Sequence, residues 1–597
     1  MINDKYPNIK PSLNLDFANT KTLDPRVTFH RGTPGAYYDG KTYVKAEENL
    51  IANSTVLSGW DTTNTTVYDN QSSPDGENTA YKLSPVGSNT TAAILPGVSK
   101  GTKAQTFSIY VKMDSPDYTA FAMYWNNSGT THARFNLLSG QVTLDHGDGH
   151  IEASMEDVGD GWWRCVATHS QHSSENAAIY VLVDDTSATD FMRWDETNGP
   201  DGIKGLLVWH PQIEYRDTVT AYTPTNGTPV TKYQPQLMFA SSNQPRFDHD
   251  ALTGESKGLL IEESRTNLIE YSEDFSNWSI YNGPLEVTHN TVIAPDGTLA
   301  ATIIKDISTG SYSGIYESLD INSGDYTSSV FIKQGSSATS SIWIALTVDG
   351  MVKQETITWT AGVPTASSIQ FIDMGNGWYR AYVTVTSTTS QSMIMYLLPC
   401  GFNATYTGTT VFWGAQLEAG SFATSYIKTS GASATRSADN ASITGENFSS
   451  WYRQDEGSII SDGSIDMNNR KGDGGMPQYT VQSDSGYIAL SRDSSYWYHG
   501  IVNNGESNYR YWSDVESTTG AITYNYNDGY INSYINKEQN LSSTTWVDRE
   551  KNIVHEHAEK LRLGAGTGVN NVLNGHIKRF TYYPQQLTNE QLQNLTR

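Results

Sequence analysis

Val158-Gly159-Asp160-Gly161-Trp162-Trp163-Arg164 returns 216 residues later as Met374-Gly375-Asn376-Gly377-Trp378-Tyr379-Arg380. Four further blocks recur around it in the same order. Glu48-Asn49-Leu50-Ile51 with Trp60 matches Thr266-Asn267-Leu268-Ile269 with Trp278, and Pro74-Asp75-Gly76 matches Pro295-Asp296-Gly297. Thr106–Lys112 matches Thr327–Lys333, and Trp209-His210-Pro211-Gln212-Ile213-Glu214 with Tyr222 matches Trp413-Gly414-Ala415-Gln416-Leu417-Glu418 with Tyr426. The displacement drifts from 221 to 204 residues, so the blocks are strands joined by loops of unequal length in two copies of one domain. Segments such as Ala177–Val183 and Ser392–Leu397 alternate apolar with polar residues, and no 3.6-residue period stands out. About eight to ten short strands per copy predict a β-sandwich, with the jelly roll as the first choice. Each Gly-x-Gly block reads as a hairpin turn that opens a strand and buries one ring. In the Trp-x-x-Gln-x-Glu block, Gln212/Gln416 and Glu214/Glu418 fall on one side of a closing strand.

Composition agrees. The chain has 597 residues, enough for about three or four domains. Only 17% are charged, while 50 Gly, 36 Tyr and 15 Trp favour pleated surfaces and turns over helix. The 39 Lys and Arg against 64 Asp and Glu give a net charge of -25, which repels phosphate backbones and anionic membranes. Nucleic acid is therefore not an expected partner. Neither a membrane-spanning run nor an apolar leader is present, so membrane insertion is not expected and synthesis in a cytoplasm is. Cys165 and Cys400 stand in different modules and support neither a disulfide framework nor a Cys-based zinc site.

Further stretches carry a family resemblance. Asp24-Pro25-Arg26-Val27-Thr28-Phe29-His30-Arg31 with Tyr38-Asp39-Gly40, Pro245-Arg246-Phe247-Asp248-His249-Asp250, and Thr253–Glu263 running into Arg265-Thr266-Asn267-Leu268 resemble tailed-bacteriophage virion proteins. These are tail fibre, spike or decoration components with jelly rolls similar to carbohydrate-binding modules. In that family the two halves of this unit are contiguous; here the first sandwich copy stands between them, which suggests duplication by insertion. At the other end, Arg562–Gly566, Leu573–Pro584 and Leu587–Leu592 resemble the closing strands and helix of concanavalin A-like, laminin-G-type lectin sandwiches, with Thr588 and Gln591 spaced as a capping box. The expected fold is all-β: an attachment segment (1–45), two jelly rolls (46–232 and, with the junction, 233–436) and a concanavalin A-like sandwich (437–597).

The resemblance implies a non-enzymatic virion structural protein, assembled in the host cytoplasm, whose partners are other virion proteins and host-surface polysaccharide. It also implies a homo-oligomer, most naturally a trimer. A polysaccharide-degrading tailspike-type enzyme and a purely architectural virion protein are the alternatives. Gly-x-Ser-x-Gly, His-Glu-x-x-His and phosphate-loop motifs are missing, so no catalytic residue is named. The aromatic clusters of the last domain admit two readings, a core or subunit interface and a sugar surface, because a flat ring covers C–H faces while polar neighbours take hydroxyls. On the second reading the glycan-binding candidates are Trp497, Tyr498, Tyr509, Arg510, Tyr511 and Trp512. His146-Gly147-Asp148-Gly149-His150 lacks a third strong metal ligand and reads as a solvent loop. Acidic Asn/Asp turns offer oxygen ligands to a structural calcium, with no ligand set singled out.

Overall fold

The computed structural model describes residues 5–596 except 87–91, 99–102, 126–131, 146–150, 170–178, 185–202, 309–310, 403–407, 466–475, 485, 493–496, 504–505, 513–516, 526–529, 536–537, 540–556 and 568–570. The His146–His150 loop lies outside the described residues. The chain is all-β, built from antiparallel sheets with three short α-helices among the described residues. It divides into two compact units. One contains Met1–Tyr43, Pro235–Asn290 and Ala294–Arg597; the other contains Val44–Gln234 with Thr291–Ile293. The second unit is thus an insertion in the sequence of the first.

That inserted unit is a sandwich. One of its sheets has the strand order Ile151–Gly159, Trp162–His169, Gln105–Met113, Leu206–Glu214, Ala80–Pro85, Thr65–Gln71. The other unit repeats this order with Gln370–Asp373, Trp378–Ser387, Gly324–Gln334, Gly408–Ala419, Leu299–Asp306, Leu285–Ile293. Each sheet closes over an apolar core against a second sheet, around Phe107, Ile109 and Val111 in one copy and Val330, Ile332 and Phe412 in the other.

The likeness extends to single hydrogen bonds. Asn49 Nδ2 donates to the carbonyls of Pro211 and Thr223 at 3.2 and 2.9 Å, and Asn267 Nδ2 to those of Ala415 and Ile427 at 3.1 and 2.9 Å. The amide N–H of Thr223 donates to Gln212 Oε1, and that of Ile427 to Gln416 Oε1. Buried Glu214 and Glu418 each accept from the amide and hydroxyl of a threonine, Thr220 or Thr424. These side chains satisfy loop backbone that leaves the sheet, where an unmade buried hydrogen bond is costly. The Gly-x-Gly turns behave as expected: Asp160 and Asn376 take left-handed φ of 51° and 50°, and Trp162 and Trp378 beyond them are buried. The copies differ at one bulge. There His210 adopts φ 50° and its ring stacks between Trp209 and Tyr222 at 3.3 and 3.8 Å, whereas Gly414 at the same place lets Trp413 lie 4.8 Å from Tyr426. Burial lowers the His210 pKa to about 3, so this ring is a neutral spacer.

The C-terminal sandwich recruits strands from far upstream. Its central strand Gly575–Tyr583 pairs with Glu456–Ile465, with Ser256–Ile261 and with Leu13–Asp16. The opposite sheet runs Thr28–His30, Asn440–Thr444, Lys560–Leu563, Met476–Gln482, Gly486–Arg492, Trp497–Asn503, Glu506–Trp512. The leading 45 residues, expected to be an attachment segment without a core, place Leu13, Leu15, Phe17 and Val27 in this core beside Leu259, Ile577 and Phe580. Alternation in so short a strand cannot be told from a loop until its partner is known. The final helix Asn589–Leu595 carries the expected capping box, with Gln591 N–H donating to Thr588 Oγ1 and Thr588 N–H to Gln591 Oε1.

Five strand ends of this unit meet in a buried knot of charge. Arg31 follows Thr28–His30, Arg246 precedes Phe247–His249, Glu262 follows Ser256–Ile261, Arg436 ends Ala434–Arg436, and Asp439 precedes Asn440–Thr444. None is more than 6% exposed. Arg246 bridges Glu262 Oε2 at 2.7 Å and Asp439 Oδ2 at 2.5 Å, Arg31 reaches Asp439 Oδ1 at 3.1 Å, and Arg436 reaches Glu262 Oε2 at 3.5 Å. Ser425 adds its amide and hydroxyl to Glu262 at 2.7 and 2.6 Å. Burial pushes the Glu262 carboxyl up, but Arg436 and Arg246 outweigh it and hold the pKa far below its ordinary value of 4.5.

Asp439→Asn, which leaves Arg31 and Arg246 short of a counter-charge, is expected to cost about 3–5 kcal/mol in urea unfolding. Because the Glu262 pKa is lowered on folding, its contribution is complete above the unfolded value near 4.5 and declines as acid is added. Glu262→Gln should flatten that part of the stability profile below pH 4.5.

Candidate functional site

In the C-terminal sandwich the aromatic candidates separate by strand alternation. Trp497 is fully buried and belongs to the core, and His499, two residues on, is 2% exposed on the same side. Trp497 therefore cannot present a face to sugar, which corrects its assignment as a glycan ligand. Tyr498 points the other way and is half-buried. Tyr509, Arg510, Tyr511 and Trp512 lie on Glu506–Trp512, the edge strand paired with Trp497–Asn503, and their side chains are outside the described residues.

A larger aromatic surface stands on the second copy of the repeated sandwich. Strands Ser279–Tyr281, Gly314–Ile321, Gln391–Leu398 and Thr339–Leu346 are neighbours in its second sheet. Their inner face sends Ile315, Leu397, Met395, Ile342 and Ile344 into the core. Period-two alternation turns Tyr316, Tyr396 and Trp343 outward, and the register sets these three side by side across adjacent strands. Trp343 stacks on Tyr396 at 4.1 Å and 17°, while Tyr316 lies 5.5 Å and Tyr281 4.8 Å from Tyr396. Tyr312 and Phe402 extend the group from loops, 5.3 Å apart.

Tyr281, Tyr312, Tyr316 and Phe402 are half-buried, and Trp343 and Tyr396 beneath them are 8% exposed. Burial raises the Tyr281 pKa, with Tyr312 beside it adding to the effect, so the hydroxyl stays a neutral hydrogen-bonding group. Trp343 Nε1 is buried without a hydrogen-bond partner. Further along the same face Ser392 Oγ donates to Asp320 Oδ1. Half-buried rings in a row with tyrosine hydroxyls and a polar end make a surface that stacks on apolar faces and exchanges hydrogen bonds at its margin.

Sequence reading did not single out this surface, because its rings come from four separated strands and two loops. A signal was present in the repeat. Pairing register sets Thr63 and Leu95 of the first copy where the second has Tyr281 and Tyr316, while Tyr124 and Tyr180 occupy the backbone positions of Trp343 and Tyr396. Aromatics gained by one copy only are not needed for a shared core.

Among the described residues no group of three His, Cys, Asp or Glu side chains could hold a metal ion. Calcium also takes backbone and amide oxygens, so its expectation is unaffected. No described helix is long and apolar enough to cross a membrane. Cys165 and Cys400 are buried free thiols.

No protein-family model matches the chain, and no curated protein matches it at a significant level. Among solved structures it is similar to an exo-β-1,3-galactanase from Phanerochaete chrysosporium crystallised with β-1,3-galactotriose, at 9% identity over 60% of this chain and 70% of the other, with a TM-score of 0.15. It is also similar to Trypanosoma rangeli sialidase in complex with the inhibitor DANA, at 8% identity over 91% and 99%, with a TM-score of 0.20. Likenesses this slight carry no functional argument.

Trp497→Ala is expected to cost about 3–5 kcal/mol in chemical unfolding, as for other buried aromatic rings. Tyr316→Ala, at a half-exposed position, should cost under about 1.5 kcal/mol in the same measurement.

Proposed function

We propose that this chain is a non-enzymatic structural protein of a tailed-bacteriophage particle, a fibre, spike or decoration component, that holds host-surface glycan on the outer aromatic face of its second sandwich. The observation that carries the glycan reading is the row Tyr316, Tyr396, Trp343 with Tyr281 and Tyr312 around it. Aromatic faces cover the C–H faces of sugar rings, and the tyrosine hydroxyls accommodate the hydroxyls at the ring edge. A surface of half-buried aromatics is also stickier than a soluble domain ordinarily leaves open. The assignment to a virion rests on the resemblance of the Asp24–Arg31, Pro245–Asp250 and Thr253–Leu268 stretches to phage proteins. Arg31, Arg246 and Glu262 of those stretches are three of the five residues of the buried knot. Assembly as a homo-oligomer, with three copies for a fibre, belongs to the same reading.

The full chain should bind a subset of host polysaccharides on a glycan array. Tyr281→Ala and Tyr316→Ala should each weaken that binding by about 1–3 kcal/mol, with unchanged oligomeric state in light scattering. Loss of assembly with binding intact would make the face a subunit interface, and release of new reducing ends would overturn the non-enzymatic part. Immunogold labelling of purified particles with an antibody to this chain checks the virion assignment, which an unlabelled particle defeats.

A further inference from the structure

The aromatic face of the second sandwich is as distinctive in its charges as in its rings. Residues 279–284, 307–323, 335–352 and 387–407 supply its strands and loops, and none of them is Lys, Arg or His. The cations of this sandwich are engaged elsewhere. Lys305 pairs with Glu286 and Lys428 with Glu273, while Arg380 donates to the Thr424 carbonyl and to Ser329 Oγ. Lys353 is in register with Ile344, whose side chain enters the core, so the pleat sets it on the opposite side of the sheet from Trp343. The charge that the face does carry is negative. Asp320 is exposed at its polar end, and burial, with Glu270 adding to it, raises the pKa of the half-buried Glu317. The fold itself does not demand this pattern: in the first copy, His132 and Arg134 alternate with the core residues Ala133 and Phe135 and so take outward positions on the corresponding sheet.

A carboxylate or sulfate on a sugar is met by Arg or Lys, whose charge and donors offset the loss of water. Here it would find neither, it would approach Asp320, and it would do so on a chain of net charge -25. A cationic amino sugar has little more to gain, because Asp320 already accepts from Ser392 Oγ and stands at one end of the face. Size follows from the rings. Tyr316, Tyr396, Trp343, Phe402, Tyr312 and Tyr281 follow one another around the patch at centroid steps of 4.1–6.5 Å, an area wider than a single sugar ring. Resting on the glycan reading above, we infer that this face selects uncharged glycan chains, longer than one sugar, and excludes acidic polymers built on uronate or sialate.

The test is calorimetry of the full chain with short fragments of neutral glucan, mannan, galactan and chitin, of acidic hyaluronan, alginate and polysialic acid, and of cationic chitosan. At least one neutral fragment should bind, with an affinity that changes less than about 2-fold between about 50 and about 500 mM NaCl, since no ion pair is there to be screened. Tyr316→Ala should weaken it about 5-fold or more, and the acidic fragments and chitosan should not bind. Tyr312→Ala, on a loop, gives the same reading should Tyr316→Ala lower the melting temperature. An acidic fragment or chitosan held as tightly as the neutral ones, and lost with Tyr316→Ala, would overturn the uncharged assignment and leave the glycan reading standing. Binding of no probe, or binding that both variants leave unchanged, would defeat the two together.

Discussion

Arg246 clasps Glu262 and Asp439 in the interior, and the larger unit is organised around that clasp. Its two guanidinium nitrogens reach carboxylates that end one strand and begin another, 177 residues apart in the chain. Arg31 and Arg436 close the group from two further strands. Desolvating five charges is expensive, and such groups are seldom more stable than a well-packed apolar core. They are intolerant of error, because a strand that arrives out of register leaves a charge buried and unpaired. Out-of-register pairing is thus penalised at this point. The knot is placed where sequence-distant segments must find one another: the leading segment, the junction, the end of the second sandwich and the start of the third.

The repeated sandwich was the most legible part of the chain. Asn-Leu-Ile and Trp-x-x-Gln-x-Glu recur with side chains that hold loop backbone a sheet cannot satisfy, and Gly-x-Gly-Trp recurs with a left-handed turn that delivers a buried ring. Asn49 and Asn267, each followed by Leu-Ile, make the same contacts in both copies. Less legible was where the first 30 residues belong. Leu13-Asn14-Leu15 is too short to declare itself a strand, and its partner, Gly575–Tyr583, lies at the far end of the sequence.

The aromatic reading was divided by the same physics. Neighbours such as Trp497 and Tyr498 attract notice in a sequence, yet in a strand adjacent residues face opposite ways, and Trp497 went to the core. Rings that do share a face come from different strands and are scattered in the sequence, as Tyr281, Tyr316, Trp343 and Tyr396 are. Register alone assembles them.

Leu13–Asp16 beside Gly575–Tyr583 also sets a clock. Asn14 and Thr581, joined side chain to side chain, are separated by 567 residues. At a synthesis rate of about 5–20 residues per second, roughly half a minute to two minutes pass between their appearances. During that interval Leu13, Leu15 and Phe17 have no sheet to enter, while the inserted sandwich can complete both of its sheets from its own strands. The chain therefore emerges with its inserted module able to close first and its earliest apolar residues waiting longest for their partners.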